Sequence, residues 1–220
     1  MHINWYGQSC FQITSNQAKN SQVSIITDPF SEGMGLRIPK WKADIVLVSY
    51  NHAQYSNTKA VNGNPFIISG PGEYEIKNIY IQGIACLDNS SSGKKQEIKT
   101  IYTIEAEGLN ICHLGAFSNK ELSAGQIDQI GEVDILFVPI GGNSTVSSKE
   151  AIKIMSQIEP SIIIPMHYQI PKLKASAGKM EGLDKLLKTM GIKKIDNLSK
   201  LSIKKKDIVP EEAKIVVLNP

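Results

Sequence analysis

Short apolar runs of strand length dominate the first two thirds of the chain, and helical spacing enters only after them. Strands are predicted over Ile3–Tyr6, Cys10–Thr14, Val23–Thr27, Ile45–Ser49, Phe66–Ser69, Ile79–Gly83, Thr100–Ala106 and Asn110–Leu114. Glu107-Gly108-Leu109 reads as a hairpin turn, and the polar stretch Asn89 to Gln96 as an exposed loop tip. Ser123-x-x-Gln126 and Ser147-x-x-Glu150 have the spacing of capping boxes. They predict a short helix ended by Gly131 and a longer one through Ile158, with Pro160 as its stop. Between and after them, Val133–Ile140 and Ser161–Met166 read as buried strands. A helix from about Glu181 to Met190 and a last strand over Ile215–Leu218 complete the pattern. Hairpins first and βαβα afterwards predict an α/β fold of two packed sheets with helices on the outside faces. His52, Ala116, Gly141-Gly142 and His167 each follow the C-terminal end of a predicted strand, where such folds gather their ligand sites.

Composition narrows the classes without choosing a function. At 220 residues and 41% hydrophobic, the chain can bury a sizeable core and reads as one domain, 1–220. No apolar run approaches the roughly 20 residues needed to cross a bilayer. Met1-His2-Ile3-Asn4-Trp5 lacks a basic stretch leading into an apolar core, so a cytoplasmic location and no membrane partner are expected. Cys10, Cys86 and Cys112 are widely spaced and read as small buried hydrophobes. The net charge is +3, concentrated in residues 161–220, which hold twelve lysines against six acidic residues. Arg37 is the only arginine, and Lys204-Lys205-Lys206 reads as a solvated turn or strand end, so nucleic acid is a disfavoured partner.

Several segments, read together and in order, resemble one family. They are Trp5-Tyr6-Gly7-Gln8-Ser9-Cys10-Phe11, Thr27-Asp28-Pro29, Asp44–Ser49, Gly72-Glu73-Tyr74-Glu75, Cys112-His113-Leu114-Gly115, Val138–Gly142 and Pro165-Met166-His167-Tyr168. The chain resembles the small, single-domain branch of the metallo-β-lactamase superfamily related to ascorbate-6-phosphate lactonase. The resemblance implies a four-layer αββα sandwich and a binuclear metal site, usually zinc, or manganese in the lactonase. It also implies a loop of the form His-x-His-x-Asp-His after a buried strand. Here that loop reads Tyr50-Asn51-His52-Ala53-Gln54-Tyr55. A further histidine is expected about where Leu87 stands, before Asp88, and the bridging carboxylate where Ala116 stands. The last ligand is present as His167.

Each half of the implied centre thus keeps one imidazole, His52 or His167, against the roughly three protein ligands of a catalytic zinc. Phenols such as Tyr50 and Tyr55, with ordinary pKa values of about 10, are poor ligands at neutral pH. Gln54 cannot take a proton as the loop carboxylate would. Asp28 is expected to support the loop by hydrogen bonds, Glu73 to sit in a turn, and His113 to be a structural histidine.

The expectation is a non-catalytic binding or interaction protein with a vestigial pocket of Asp28, Tyr50, His52, Gln54, Tyr55, Leu87, Asp88, Ala116 and His167, and no cofactor. One alternative is an altered metal-dependent hydrolase with a non-standard single-metal site, zinc or manganese, around His52 and His167. A second is a nucleic-acid binder using the Lys-rich C-terminal third. A small molecule or a protein as partner, and a homo-oligomer, are left open.

Overall fold

The computed structural model describes residues 1–16, 21–87, 97–171, 173–174, 179–209 and 213–220. The strands are β1 His2–Gly7, β2 Cys10–Asn16, β3 Gln22–Thr27, β4 Ile45–Leu47, β5 Phe66–Ile68, β6 Gly72–Ile76, β7 Ile79–Leu87 and β8 Ile98–Ala106. They continue with β9 Leu109–His113, β10 Ile135–Pro139, β11 Ile162–Met166, β12 Asn197–Leu198, β13 Leu201–Ser202, β14 Lys214–Ile215 and β15 Val217–Leu218. The α-helices are α1 Ala124–Ile130, α2 Ser148–Ile158 and α3 Leu183–Thr189.

Two sheets carry the structure. One runs in the order β13-β1-β2-β3-β4-β5 and the other β14-β11-β10-β9-β8-β7-β6. Each begins as antiparallel hairpins and turns parallel where the chain crosses over: β3–β4–β5 in the first sheet, β9–β10–β11 in the second. Strands β10 and β11 are buried along their whole length, which is why they read as continuous apolar runs without alternation. The sheets meet face to face where Phe11 of β2 stacks on Phe137 of β10, ring centroids 4.3 Å apart and nearly coplanar. Helix α2 packs on β10 and on α3, and α1 packs on β7, so α1 and α2 lie against the second sheet.

Both capping boxes form: the hydroxyls of Ser123 and Ser147 accept from the N–H of Gln126 and Glu150, whose side chains bond back to the cap residues. Glu73 is not a turn residue but lies in β6. The turn is Lys77-Asn78, with φ of 53° and 61°, the paired positive values of a tight hairpin that sets Ile76 opposite Ile79. Without a glycine, that turn gives little sequence signal. The hairpin of β7 and β8 is longer than its apolar core suggested, with Leu87 opposite Ile98. The predicted loop tip from Asn89 to Gln96 lies outside the described residues. The single strand predicted over Ile215–Leu218 divides, β14 pairing with β11 and β15 with β12. Lys205 leads a 3-10 turn, Lys205–Asp207, and its ammonium reaches the Asp134 carboxylate at 2.8 Å. All three cysteines are buried.

One glycine position controls the approach of the second sheet's crossover to the site. A Cβ on Gly141 would lie 2.2 Å from the His167 carbonyl oxygen, a backbone atom that cannot swing away. Gly141→Ala is expected to lower unfolding free energy in urea by roughly 1–3 kcal/mol, as overpacked sites do. Gly125→Ala, where a Cβ meets open space on a helix, is the control and should be neutral or stabilising. A Gly141→Ala protein as stable as the parent would contradict the close approach.

Candidate active site

At the C-terminal ends of β3 and β4 the backbone turns sharply at Asp28, whose φ is 39° although it is not a glycine. Its N–H donates to the Leu47 carbonyl at 2.8 Å. Its carboxylate accepts the Ser49 N–H and the Ser49 hydroxyl, both at 2.7 Å. The Ser49 oxygen in turn accepts from the Ala116 N–H at 3.3 Å. Only glycine fits at 115, since a Cβ there would sit 2.2 Å from the Ser49 side chain. Burial pushes the Asp28 carboxyl up to about 7 against the pull of its Ser49 hydrogen bonds.

Beyond Ser49 the loop folds back on itself. The Tyr55 N–H donates to the His52 carbonyl at 2.8 Å, and the Gln54 N–H to the His52 Nδ1 at 3.3 Å. The turn stacks its rings in sequence: Tyr50 on His52 with centroids 5.5 Å apart, and His52 on Tyr55 at 5.5 Å. Tyr55 then meets His167 at 5.3 Å. Tyr55 is buried, and burial, with the Asp28 charge second, raises its phenol, so it stays protonated at neutral pH.

His167 follows β11 and also has a left-handed backbone, φ 50°. Its N–H donates to the Gln8 carbonyl at 3.1 Å, and its Nδ1 lies 3.1 Å from the Ser9 hydroxyl. Its Nε2 is buried and has no hydrogen-bond partner; the Gln8 side-chain amide, also buried, has none either. Burial first, and the positive charge of Lys99 second, lower the His167 imidazole to about 4. It is therefore neutral over the physiological range. Non-glycine left-handed residues cost of order 1–3 kcal/mol each and persist only where surrounding structure holds them. Two of them, Asp28 and His167, stand at this site.

The fold thus gathers Tyr50, His52, Tyr55 and His167 in one ring column, with Asp28 and Ala116 joined through Ser49. The Gln54 backbone serves the loop, its carbonyl accepting from the Ser31 N–H at 3.0 Å. Leu87 is 49% exposed and brings no donor. Asp88 lies outside the described residues. His113 is buried, its Nε2 3.0 Å from the Ser9 carbonyl oxygen. Ser9, Ser49 and Lys99 are partners that sequence reasoning missed. Lys99 is buried where the strand alternation turns the neighbouring Ile98 outward, the reverse of what hydropathy suggests. No described group of three or more His, Cys, Asp or Glu side chains is placed to hold a metal ion. His167 offers one orphaned nitrogen, and Tyr55 occupies the ring column between the two imidazoles in contact order. The donor set does not fit a binuclear centre.

The buried ionisable groups predict a specific pH dependence of stability. His167 and His113 each have a folded pKa of about 4, below the ordinary value near 6.5. Their contributions are complete above pH 6.5 and are lost as pH falls towards 4. Asp28, raised to about 7, has the opposite sign: its contribution is complete below pH 4 and is lost as pH rises towards 7. Asp28→Asn is expected to steepen the rise of unfolding free energy between pH 4 and 6.5 by about 3 kcal/mol over the window, measured by urea titration at stepped pH. An unchanged slope would contradict a buried, protonatable Asp28.

Comparison with known proteins places this geometry in a family. Residues 2–167 match the family model described as "Beta-lactamase superfamily domain". A UPF0173 protein of Pyrococcus abyssi is 30% identical over 190 residues, spanning 76% of this chain and 83% of the relative. A UPF0173 metal-dependent hydrolase of Thermococcus onnurineus is 26% identical, spanning 76% and 84%. Among solved structures, a proposed Zn-dependent hydrolase of the metallo-β-lactamase superfamily from Thermotoga maritima is similar with a TM-score of 0.78 and 30% identity, over 99% of this chain and 97% of that one. The Thermococcus and Thermotoga relatives correct the expectation of a non-catalytic binding protein, and with it the label of pseudoenzyme, because they carry the names of hydrolases. The names also carry a metal dependence, against the expectation of no cofactor. This chain belongs to the β-lactamase superfamily domain family, as a metallo-β-lactamase-fold relative of the UPF0173 metal-dependent hydrolases.

Proposed function

We propose that this chain is a hydrolase whose site is the altered pocket around His52 and His167, in place of a binuclear centre. The observation that carries the reading is His167. Its backbone is held in the left-handed region, its Nδ1 is oriented by Ser9, and its Nε2 is buried without a partner. An idle scaffold has no need to maintain that arrangement, and strained, unpartnered groups concentrate at working sites. The names of the relatives supply the reaction class.

In this reading the His167 Nε2 binds and orients the attacking water or a polar group of the substrate, and Ser9 fixes the ring. Tyr55 packs against both imidazoles and limits the water that enters. Asp28 and Ser49 hold the floor of the pocket by tying the ends of β3 and β4 to the turn at Ala116. The metal named for the relatives finds too few donors here for two ions, and no step is assigned to it.

The test is turnover of chromogenic lactone, thioester and phosphodiester substrates, with and without added zinc or manganese. His167→Ala should reduce kcat/KM by at least about a hundredfold, the scale of a positioned proton-transfer or water-orienting group. The acid limb of the wild-type rate should lie near pH 4, where His167 protonates, rather than near the ordinary histidine value of 6.5. Absence of turnover on every substrate class, or a His167→Ala variant as active as the parent, would overturn the proposal.

A further inference from the structure

Among the described residues, the first sheet ends on a strand with one open side. That strand is β5, Phe66–Ile68, which stands last in the sheet order and pairs with β4 in parallel. The Phe66 N–H donates to the Asp44 carbonyl, and the Val48 N–H donates to the Ile68 carbonyl, both at 2.8 Å. Backbone groups alternate in direction along a parallel strand. With Phe66 and Ile68 turned to β4, the Ile67 N–H and carbonyl therefore point out from the open edge. The side chains there are large and bare, Phe66 being 54% and Ile67 48% exposed. An apolar edge with unpaired backbone groups is a template for another strand.

The other outer strands of the two main sheets are guarded by charge. Strand β6 carries Glu73 and Glu75, β14 carries Lys214, and β13 lies between Lys200 and Lys204. Charges on an edge discourage pairing with another chain. Around β5 there are none, since the segment from Ala60 to Gly72 holds no charged residue. Its flanks differ in sign: exposed Lys59 precedes it, and exposed Glu73 and Glu75 follow it. A two-fold axis sets a segment against its own copy in the reverse direction. Such a pairing meets no like charges within the segment and directs the basic flank of each copy toward the acidic flank of the other. A parallel pairing would set like against like.

We propose that β5 is the docking edge for a second copy of this chain, paired antiparallel about a two-fold axis at Ile67. In that register each Ile67 N–H meets the Ile67 carbonyl of the other copy, and the two six-stranded sheets join into one. Pro65, the next residue toward the N-terminus on the open side, has no N–H to offer. The register uses its carbonyl, opposite the Ser69 N–H, and leaves the carbonyl of the exposed Ser69 to water. The two Ile67 side chains meet across the axis on one face, an apolar cross-strand pair. A contact of this kind uses one surface twice, so it closes at a dimer.

Sedimentation velocity across a concentration series reaching millimolar should show a reversible monomer–dimer equilibrium. Ile67→Pro removes an N–H that no strand of its own chain uses. It should weaken the dimer by at least about tenfold, the scale of two lost hydrogen bonds, with the circular dichroism of the monomer unchanged. Ile67→Lys sets two ammonium groups opposite each other and should do the same. Val209→Lys, a charge at another exposed apolar residue, should leave the dimer intact. Cross-linking reads the register directly. Directly opposed, hydrogen-bonded residues have Cα atoms about 5.5 Å apart, within disulfide reach, so Ile67→Cys should link to its copy under mild oxidation. Ser69→Cys should not, and the native cysteines are buried. A chain monomeric at every concentration, its edge left for an extended peptide of another protein, would overturn the proposal. So would a dimer as tight in folded Ile67→Pro and Ile67→Lys as in the parent, or cross-linking at position 69 in preference to 67.

Discussion

The grip on His167 is the constraint from which the rest of the site follows. The residue ends a fully buried parallel strand, and three neighbours fix it: the Gln8 carbonyl takes its N–H, Ser9 meets its Nδ1, and Gly141 lets its carbonyl come close. Gln8 and Ser9 belong to the turn of the first hairpin, and Gly141 follows β10, so both sheets converge on one ring. Such a grip leaves the imidazole one orientation, with Nε2 as its only unsatisfied atom. A ring in this state is neutral and pre-positioned, and it loses little entropy when a ligand arrives.

Around that fixed point the site has exchanged charge for aromatic surface. Tyr50, His52 and Tyr55 form a stack that ends on His167, where a metal-binding loop would present carboxylate and imidazole donors. Ala116 removes a negative charge from the floor, while Asp28 stays buried, bonded to Ser49. Lys99 brings a positive charge to the same region.

Much of the fold was legible because its signals are local. Ser123 with Gln126 and Ser147 with Glu150 announce two helices by hydrogen bonds made within four residues. The apolar runs at Ile135–Pro139 and Ile162–Met166 announce buried strands. His52 and His167, which both follow strand ends in the sequence, come together against Tyr55. What escaped was non-local. The turn at Lys77-Asn78 takes positive φ because β6 and β7 pair, not because its residues demand it. Ser9 reaches His167 across 158 positions of sequence. Lys99 sits in a strand as an ordinary charged residue, and only the tertiary fold turns it inward. The inference from lost ligands to lost catalysis failed for a related reason: a motif counts donors for one chemistry and is blind to groups that serve another.

The central claim is that this pocket is a working site of altered chemistry and not a disguised two-metal centre. The most direct measurement is metal stoichiometry by elemental analysis after saturation with zinc or manganese and removal of unbound ion. The account predicts no more than one ion per chain. Two tightly held ions per chain, released together by substitution of His52 and His167, would contradict it.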